Sequence, residues 1–302
     1  MKRAQRALPL PTRDGVGPSV VALPEGPWPT IAEFLIARFA AVSADEWRAR
    51  IHARDVVDEH GVPVTPQRAH QPGLRVYYYR AVAVETPVPF EEDVLFQDDW
   101  LVAVDKPHFL TVTPTGRYVQ QSLLVRLKRR LGMNDLSPIH RIDRETAGVV
   151  VFCVQPETRG KYQALFAQRR VAKRYEAVAP WREDLPMPTT RASRLVNHAN
   201  CLQMIEVPGE PNAQTHFELL EVQGHKARYG LQPVTGRKHQ LRVHCAALGL
   251  PIYNDLIYPR LAPVGSDDFD QPLQLLSKSL AFTDPLTGVE RIFESRRTLM
   301  PL

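Results

Sequence analysis

His140-Arg141-Ile142-Asp143-Arg144-Glu145-Thr146-Ala147-Gly148-Val149-Val150-Val151-Phe152 joins a crowd of charged side chains to an unbroken apolar run. Gly148 to Val154 is β-branched and apolar, the pattern of a strand buried on both faces. The residues ahead of it place one carboxylate, Asp143, among cationic and hydroxyl groups at the strand's entrance. Cationic neighbours favour an ionised carboxylate, the form that a nucleophile or a general base must take. The plainer alternative is a turn carboxylate that only pairs with Arg144.

Around this stretch, strands and helices mix without a βαβ repeat. Val94-Leu95-Phe96 and Leu101 to Val104 flank Gln97-Asp98-Asp99, a hairpin signal ending at Asp105-Lys106-Pro107. Ser122 to Leu131 reads as a basic amphipathic helix closed by Gly132, and Glu157 to Gln168 as a second helix. Arg174 to Ala179, Thr215 to Val222 and Ala227 to Pro233 read as strands, and Lys238 to Leu248 as a helix stopped by Gly249 and Pro251. The expected fold is α+β, with a mixed, mainly antiparallel sheet.

Upstream, residues 1–29 are punctuated by Pro and Gly and read as a flexible leader. Residues 30–85 read as a small α+β module. It holds helices at Thr30 to Phe39 and Ser43 to Ile51, each opened by capping-box spacing (Thr30/Glu33, Ser43/Glu46). Short strands follow at Val56-Val57, Val62 to Val64 and Leu74 to Tyr79. Pro87, Pro89 and Glu91-Glu92-Asp93 mark a linker, so the larger domain is expected over 86–302.

Composition narrows the function classes. The chain has 302 residues, 44% apolar and 24% charged, and 27 prolines, too many for a helical bundle. Its longest strongly apolar run, Ala147 to Val154, is far below the ~20 residues of a membrane span. The basic N-terminus lacks the apolar stretch of a secretory signal, so a cytoplasmic location without membrane attachment is expected. Cys153, Cys201 and Cys245 form neither a CxxC pair nor a Cys/His cluster, so neither a metal site nor a disulfide framework is expected. Phosphate-loop, GxGxxG, HExxH and GxSxG patterns are missing. ATP, dinucleotide and zinc-hydrolase chemistry therefore find no support.

Charge is unevenly spread. Residues 117–176 carry 13 basic and 5 acidic side chains, more than the whole net excess of +5. Arg126, Lys128, Arg129 and Arg130 cluster there, as do Arg169, Arg170, Lys173 and Arg174. Such a block is the footprint of a polyanion partner. A solvated helix face would explain either cluster alone.

HRIDRETAGVVVF resembles the signature of the RluA-type pseudouridine synthases, His-Arg-Leu-Asp followed after two residues by Thr-Ser-Gly and an apolar strand. VLFQDDWLVAVDKP (Val94 to Pro107), Lys173-Arg174-Tyr175-Glu176-Ala177-Val178 and Thr235-Gly236-Arg237-Lys238-His239-Gln240-Leu241-Arg242-Val243-His244 resemble three further family segments, in order. Pro251 to Asp255 and Leu280 to Pro285 fit as well, so the resemblance covers about residues 93–295. Ile142 and Ala147 depart from the pattern without removing a reactive group.

The resemblance implies isomerisation of uridine to pseudouridine in RNA, without metal, organic or nucleotide cofactor, by a monomer. The partner would be large-subunit ribosomal RNA or transfer RNA. Asp143 would be the essential carboxylate, as nucleophile or as base at the ribose. Arg237 would ion-pair with it, and Tyr175 would stack on the target base and could move the final proton. Arg141 would fill the space left by the flipped uridine. His140, Thr146, His239 and Arg242 would lie on the substrate side, with both histidines structural or facing phosphate. The N-terminal module matches a small RNA-binding module of the family in position, but only weakly in sequence. The rival readings are a non-catalytic RNA-binding protein and a glycosylase that hydrolyses instead of isomerising.

Overall fold

The computed structural model describes residues 9–80, 85–263 and 267–302. The chain forms two compact units. The first takes Met1–Glu85, Thr115–Gln120 and Val125–Asn134, and the second takes Thr86–Pro114, Gln121–Leu124 and Asp135–Leu302.

In the first unit, β1 (Ser19–Ala22) is followed by α1 (Ile31–Arg38), α2 (Ala44–His52), β2 (Val56–Asp58) and β3 (Arg75–Tyr78). The capping signals work as expected: Thr30 Oγ1 accepts the Glu33 amide at 3.2 Å and Ser43 Oγ accepts the Glu46 amide at 3.1 Å. The helices bury Ile31, Phe34, Leu35, Trp47 and Ile51 with Leu23, Val56, Val64 and Val76. Each such side chain contributes roughly 1.5–3 kcal/mol. The sheet order is β1-β3-β2, antiparallel throughout.

The expected leader over 1–29 is therefore corrected from residue 9 onward, and its first eight positions lie outside the described residues. Val20 and Val21 pair with Tyr77 and Val76, and Leu10, Val16 and Leu23 are buried. Prolines and glycines end the strand here without preventing it. The boundaries differ too, because residues from the basic block belong to this unit. Val125 and Val119 pack on Val16.

The remaining elements are β4 (Asp93–Gln97), β5 (Leu101–Lys106), α3 (Leu123–Leu131), β6 (Ser137–Pro138), β7 (Ala147–Cys153), α4 (Arg159–Ala167) and β8 (Ala172–Pro180). After them come β9 (Thr189–Asn197), β10 (Met204–Val207), β11 (Ala213–Gln223), β12 (Lys226–Pro233), α5 (Gln240–Ala247), β13 (Leu275–Thr283) and β14 (Glu290–Glu294). From Val125 onward, α3 belongs to the first unit. The second unit is built on one sheet of order β10-β9-β11-β12-β8-β13-β7-β5-β4, with β14 beside β13 and β6 beside β7. Every pairing is antiparallel except β13 with β7. The sheet is mixed and mainly antiparallel, as expected.

One junction positions the site. β7 and β8 are consecutive strands around α4, yet β13 lies between them. Its Ser277 stands opposite Tyr175 of β8 and Gly148 of β7. Gly148 has φ +109°, and a Cβ there would lie 2.2 Å from the Ser277 carbonyl oxygen. Only glycine permits both that backbone and that approach. β9, β10, β13 and β14 escaped the sequence reading. Thr189–Asn197 has only Ala, Leu and Val among Thr, Ser, Arg and Asn, without apolar alternation, and Leu275–Thr283 interrupts its apolar run with Ser-Lys-Ser.

Candidate active site

Asp143 lies in the loop that enters β7, with its side chain about a quarter exposed. The loop closes on itself where the buried Thr146 donates its amide to the Asp143 carbonyl at 3.2 Å. Lys106, at the end of β5 and fully buried, pins it from below. Its Nζ donates to the carbonyls of Arg144 (3.0 Å), Leu110 (2.8 Å) and Pro107 (2.9 Å). Burial pulls the Lys106 pKa down to about 7, against the opposing pull of Glu145 and Asp143. Three carbonyls match the three donors of an ammonium.

The partner of Asp143 is Arg242, on α5. Its Nη1 donates to Asp143 Oδ2 at 3.3 Å and lies 3.5 Å from Glu145 Oε2. The rest of this guanidinium is occupied: Nε and Nη2 bind Asp255 at 2.8 and 2.6 Å, a bidentate pair. Asp255 is fixed in turn by the amides of Ile257 and Tyr258. Arg242 is 1% exposed. Burial opposes its charge, yet Asp255, Asp143 and Glu145 together outweigh that and raise its pKa. Glu145 is likewise held below the usual carboxylate range, since Arg242 and Arg144 overcome the cost of its burial.

Arg237 does not pair with Asp143. It lies in the loop before α5, exposed, and its Nε donates to the Asn212 carbonyl at 3.2 Å. The two arginines are five residues apart, but only Arg242 lies on the helix and turns inward. Nor does Arg144 pair with Asp143: it binds Glu145 and Asp267.

Tyr175 of β8 faces this centre. Burial and the Asp143 charge push its pKa up to about 12, against a hydrogen bond with Ser277. His239 caps α5 with φ +52°. Its Nε2 lies 3.9 Å from Asp143 Oδ1, and its Nδ1 lies 3.0 Å from the Tyr258 hydroxyl. His140 is turned away from the carboxylate. Its Nε2 accepts the Val151 amide at 3.1 Å and its ring stacks on Phe166, so burial holds its pKa down at about 3. A structural role for His140 follows. Arg141 is exposed, and its guanidinium has no partner among the described residues.

Thus Asp143, Tyr175, Arg242 and His239 converge, while Arg237 and His140 do not. Lys106, Glu145, Asp255 and Tyr258 were not singled out from sequence. The signal for Lys106 was a lysine closing an otherwise apolar strand. The signal for Asp255 was its place in the Pro251 to Asp255 turn. Among the described residues no cluster of His, Cys, Asp and Glu could hold a metal ion, and no helix is long and apolar enough to cross a membrane.

Residues 100–247 match the family described as RNA pseudouridylate synthase. The dual-specificity RNA pseudouridine synthase RluA of Haemophilus influenzae is 31% identical over 215 residues, 68% of this chain and 92% of the relative. The chain belongs to the RluA-type RNA pseudouridine synthases. As a member of that family it is an isomerase acting on uridine in RNA. This synthase is also 34% identical, over 191 residues, to the mitochondrial tRNA pseudouridine(32) synthase of Saccharomyces cerevisiae. That match covers 59% of the synthase and 40% of the yeast protein. Among solved structures, human RNA pseudouridylate synthase domain containing 4 superposes with a TM-score of 0.52 at 28% identity. The superposition covers 68% of the synthase and 88% of that chain.

Proposed function

We propose that this synthase takes a uridine flipped out of transfer RNA or large-subunit ribosomal RNA and isomerises it with Asp143 as the essential carboxylate. The observation that carries the reading is a partly exposed carboxylate held by a buried arginine whose other donors are already committed to Asp255. A group held this way needs little reorganisation when the substrate arrives. The reaction breaks the N1–C1′ bond and forms C5–C1′. The C5 proton leaves and N1 gains one, so mass is unchanged. Asp143 serves it by adding to C1′ or by removing a ribose proton; both routes need the carboxylate ionised and aimed. Tyr175, protonated at neutral pH, would offer a ring face to the base and a hydroxyl for the final proton. Chemistry on a base requires taking it out of the stack, and the unpaired Arg141 would fill the gap.

The yeast relative's name supports transfer RNA as a substrate. Arg169 and Arg170, exposed and with guanidinium groups that have no partner among the described residues, would meet the phosphate backbone. The test is Asp143→Asn on an RNA that the wild type modifies. Pseudouridine formation should vanish while RNA affinity stays within about twofold. Free uracil in place of a mass-silent isomer would assign a glycosylase instead. More than a few per cent of wild-type turnover in the variant would remove Asp143 from the chemistry.

A further inference from the structure

Asp143 has two carboxylate oxygens, and the structure gives them different neighbours. Oδ2 faces Arg242, and Oδ1 faces His239 Nε2 at 3.9 Å. Which nitrogen of His239 carries the proton depends on what its other nitrogen meets. That neighbour is the hydroxyl of Tyr258, 3.0 Å from Nδ1.

We propose that Tyr258 is a positioning residue, whose hydroxyl sets the His239 tautomer so that an N–H is presented to Oδ1 of Asp143. The Tyr258 oxygen already accepts the Met204 amide at 2.6 Å, and an amide can only donate. The phenol keeps one proton to give. Among the described residues its one remaining hydrogen-bond partner is His239 Nδ1. On a residue only 6% exposed, a hydroxyl with no acceptor would bear an unmade hydrogen bond. Nδ1 therefore accepts, and Nε2 carries the proton. Burial pushes the Tyr258 pKa up to about 12, so the proton stays on the phenol at neutral pH.

Two more contacts hold the arrangement. The Tyr258 ring meets the His239 ring edge-on, with centroids 5.7 Å apart, and lies 5.6 Å from the Arg242 guanidinium carbon. The charged groups that act on His239 are Asp143, Arg242, Lys238 and Glu145. Burial, aided by the two cations, lowers the His239 pKa against the pull of the carboxylates. The ring is neutral at neutral pH. It thus orients Oδ1 without adding a second cation to the one that already binds Oδ2. Catalytic hydrogen bonds are often long before substrate binds, and closure of under 1 Å would complete this one.

The inference rests on Asp143 acting on the substrate, as proposed above, so its test has an arm that needs no turnover. Nitrogen-15 spectra of the wild-type protein, with His239 assigned through His239→Gln, should show Nδ1 unprotonated and Nε2 protonated. In Tyr258→Phe, which keeps the ring but loses the hydroxyl, the tautomers should mix. In single-turnover assays, Tyr258→Phe should slow isomerisation about tenfold with RNA affinity within twofold. His239→Gln should slow it similarly, and the double variant no further, because the two act as one unit. A proton on Nδ1 in the wild type overturns the proposal, as does wild-type turnover by Tyr258→Phe. If Asp143→Asn stays active, the functional reading falls while the tautomer arm still decides this one.

Discussion

Arg242 is asked to do two things at once: complete a buried bidentate pair with Asp255 and aim the carboxylate of Asp143. Lysine could keep the charge but not the fork. Arg242→Lys should therefore lower single-turnover isomerisation at least 100-fold. It should also destabilise the fold, by less than the about 3–5 kcal/mol of leaving a buried partner uncompensated, because lysine keeps the charge and loses only the second hydrogen bond to Asp255. Urea denaturation read beside activity separates the two effects. Arg237→Gln should leave the rate within a few-fold, since Arg237 meets only a backbone carbonyl. A collapse in Arg237→Gln with Arg242→Lys unharmed would return the pairing role to Arg237. The segment holding both arginines was legible in the sequence, but the choice between them was not. That choice depends on where α5 begins, at Gln240, and the turn before it has no periodicity to read.

Elements with a local signal were readable, and those stabilised from a distance were not. The capped α1 and α2, the β4–β5 hairpin and the apolar β7 follow from their own residues. β13 does not, because its neighbours β7 and β8 lie about 100 or more residues away in the chain. Gly148 is where this non-local pairing shows as a single residue. Gly148→Ala would place a methyl against the Ser277 carbonyl in a backbone that alanine resists, so the β7–β13 junction should open. The variant should lose several kcal/mol of stability or fail to fold. Ordinary Tm and activity would show that the strands can part. The α4–β8 turn makes a different, electrostatic demand. Arg169→Gln with Arg170→Gln should reduce the salt dependence of RNA binding by about 1.4 in log–log slope, at roughly 0.7 per phosphate contact on single strands. Binding isotherms from about 50 to 300 mM salt test this, and an unchanged slope would place the RNA path elsewhere.

Across the molecule, three described histidines held neutral by their surroundings should set the acid limit. His140 accepts the Val151 amide, and His244 sits between the hydroxyls of Thr215 and Ser193. His108 is within 2.6 Å of the Glu145 carbonyl. Burial holds their folded pKa values at about 3, 4 and 4, against the usual 6.5. Below pH 6.5 the unfolded chain takes up protons that the folded chain refuses. Stability should therefore fall as pH drops from about 6.5 towards 4, by up to about 1.4 kcal/mol per pH unit for each histidine. Urea midpoints at pH 7 and pH 5 check the sign, and His244→Gln should flatten the slope by one proton. Equal stability at both pH values would mean that these rings ionise freely in the fold.

The placement of β13 also carries a consequence for the newly made protein. Asp143 enters on β7 and Tyr175 stands on β8, but the strand that sets them side by side runs from Leu275 to Thr283. A ribosome that has released everything up to α5 has delivered Asp143, Tyr175 and Arg242, yet not the strand that aligns them. Long-range closure of this kind comes late in folding. On the proposed function, a growing chain would carry its basic residues well before it could alter a base. The alignment of Asp143 with Tyr175 has to wait until Leu275–Thr283 has emerged.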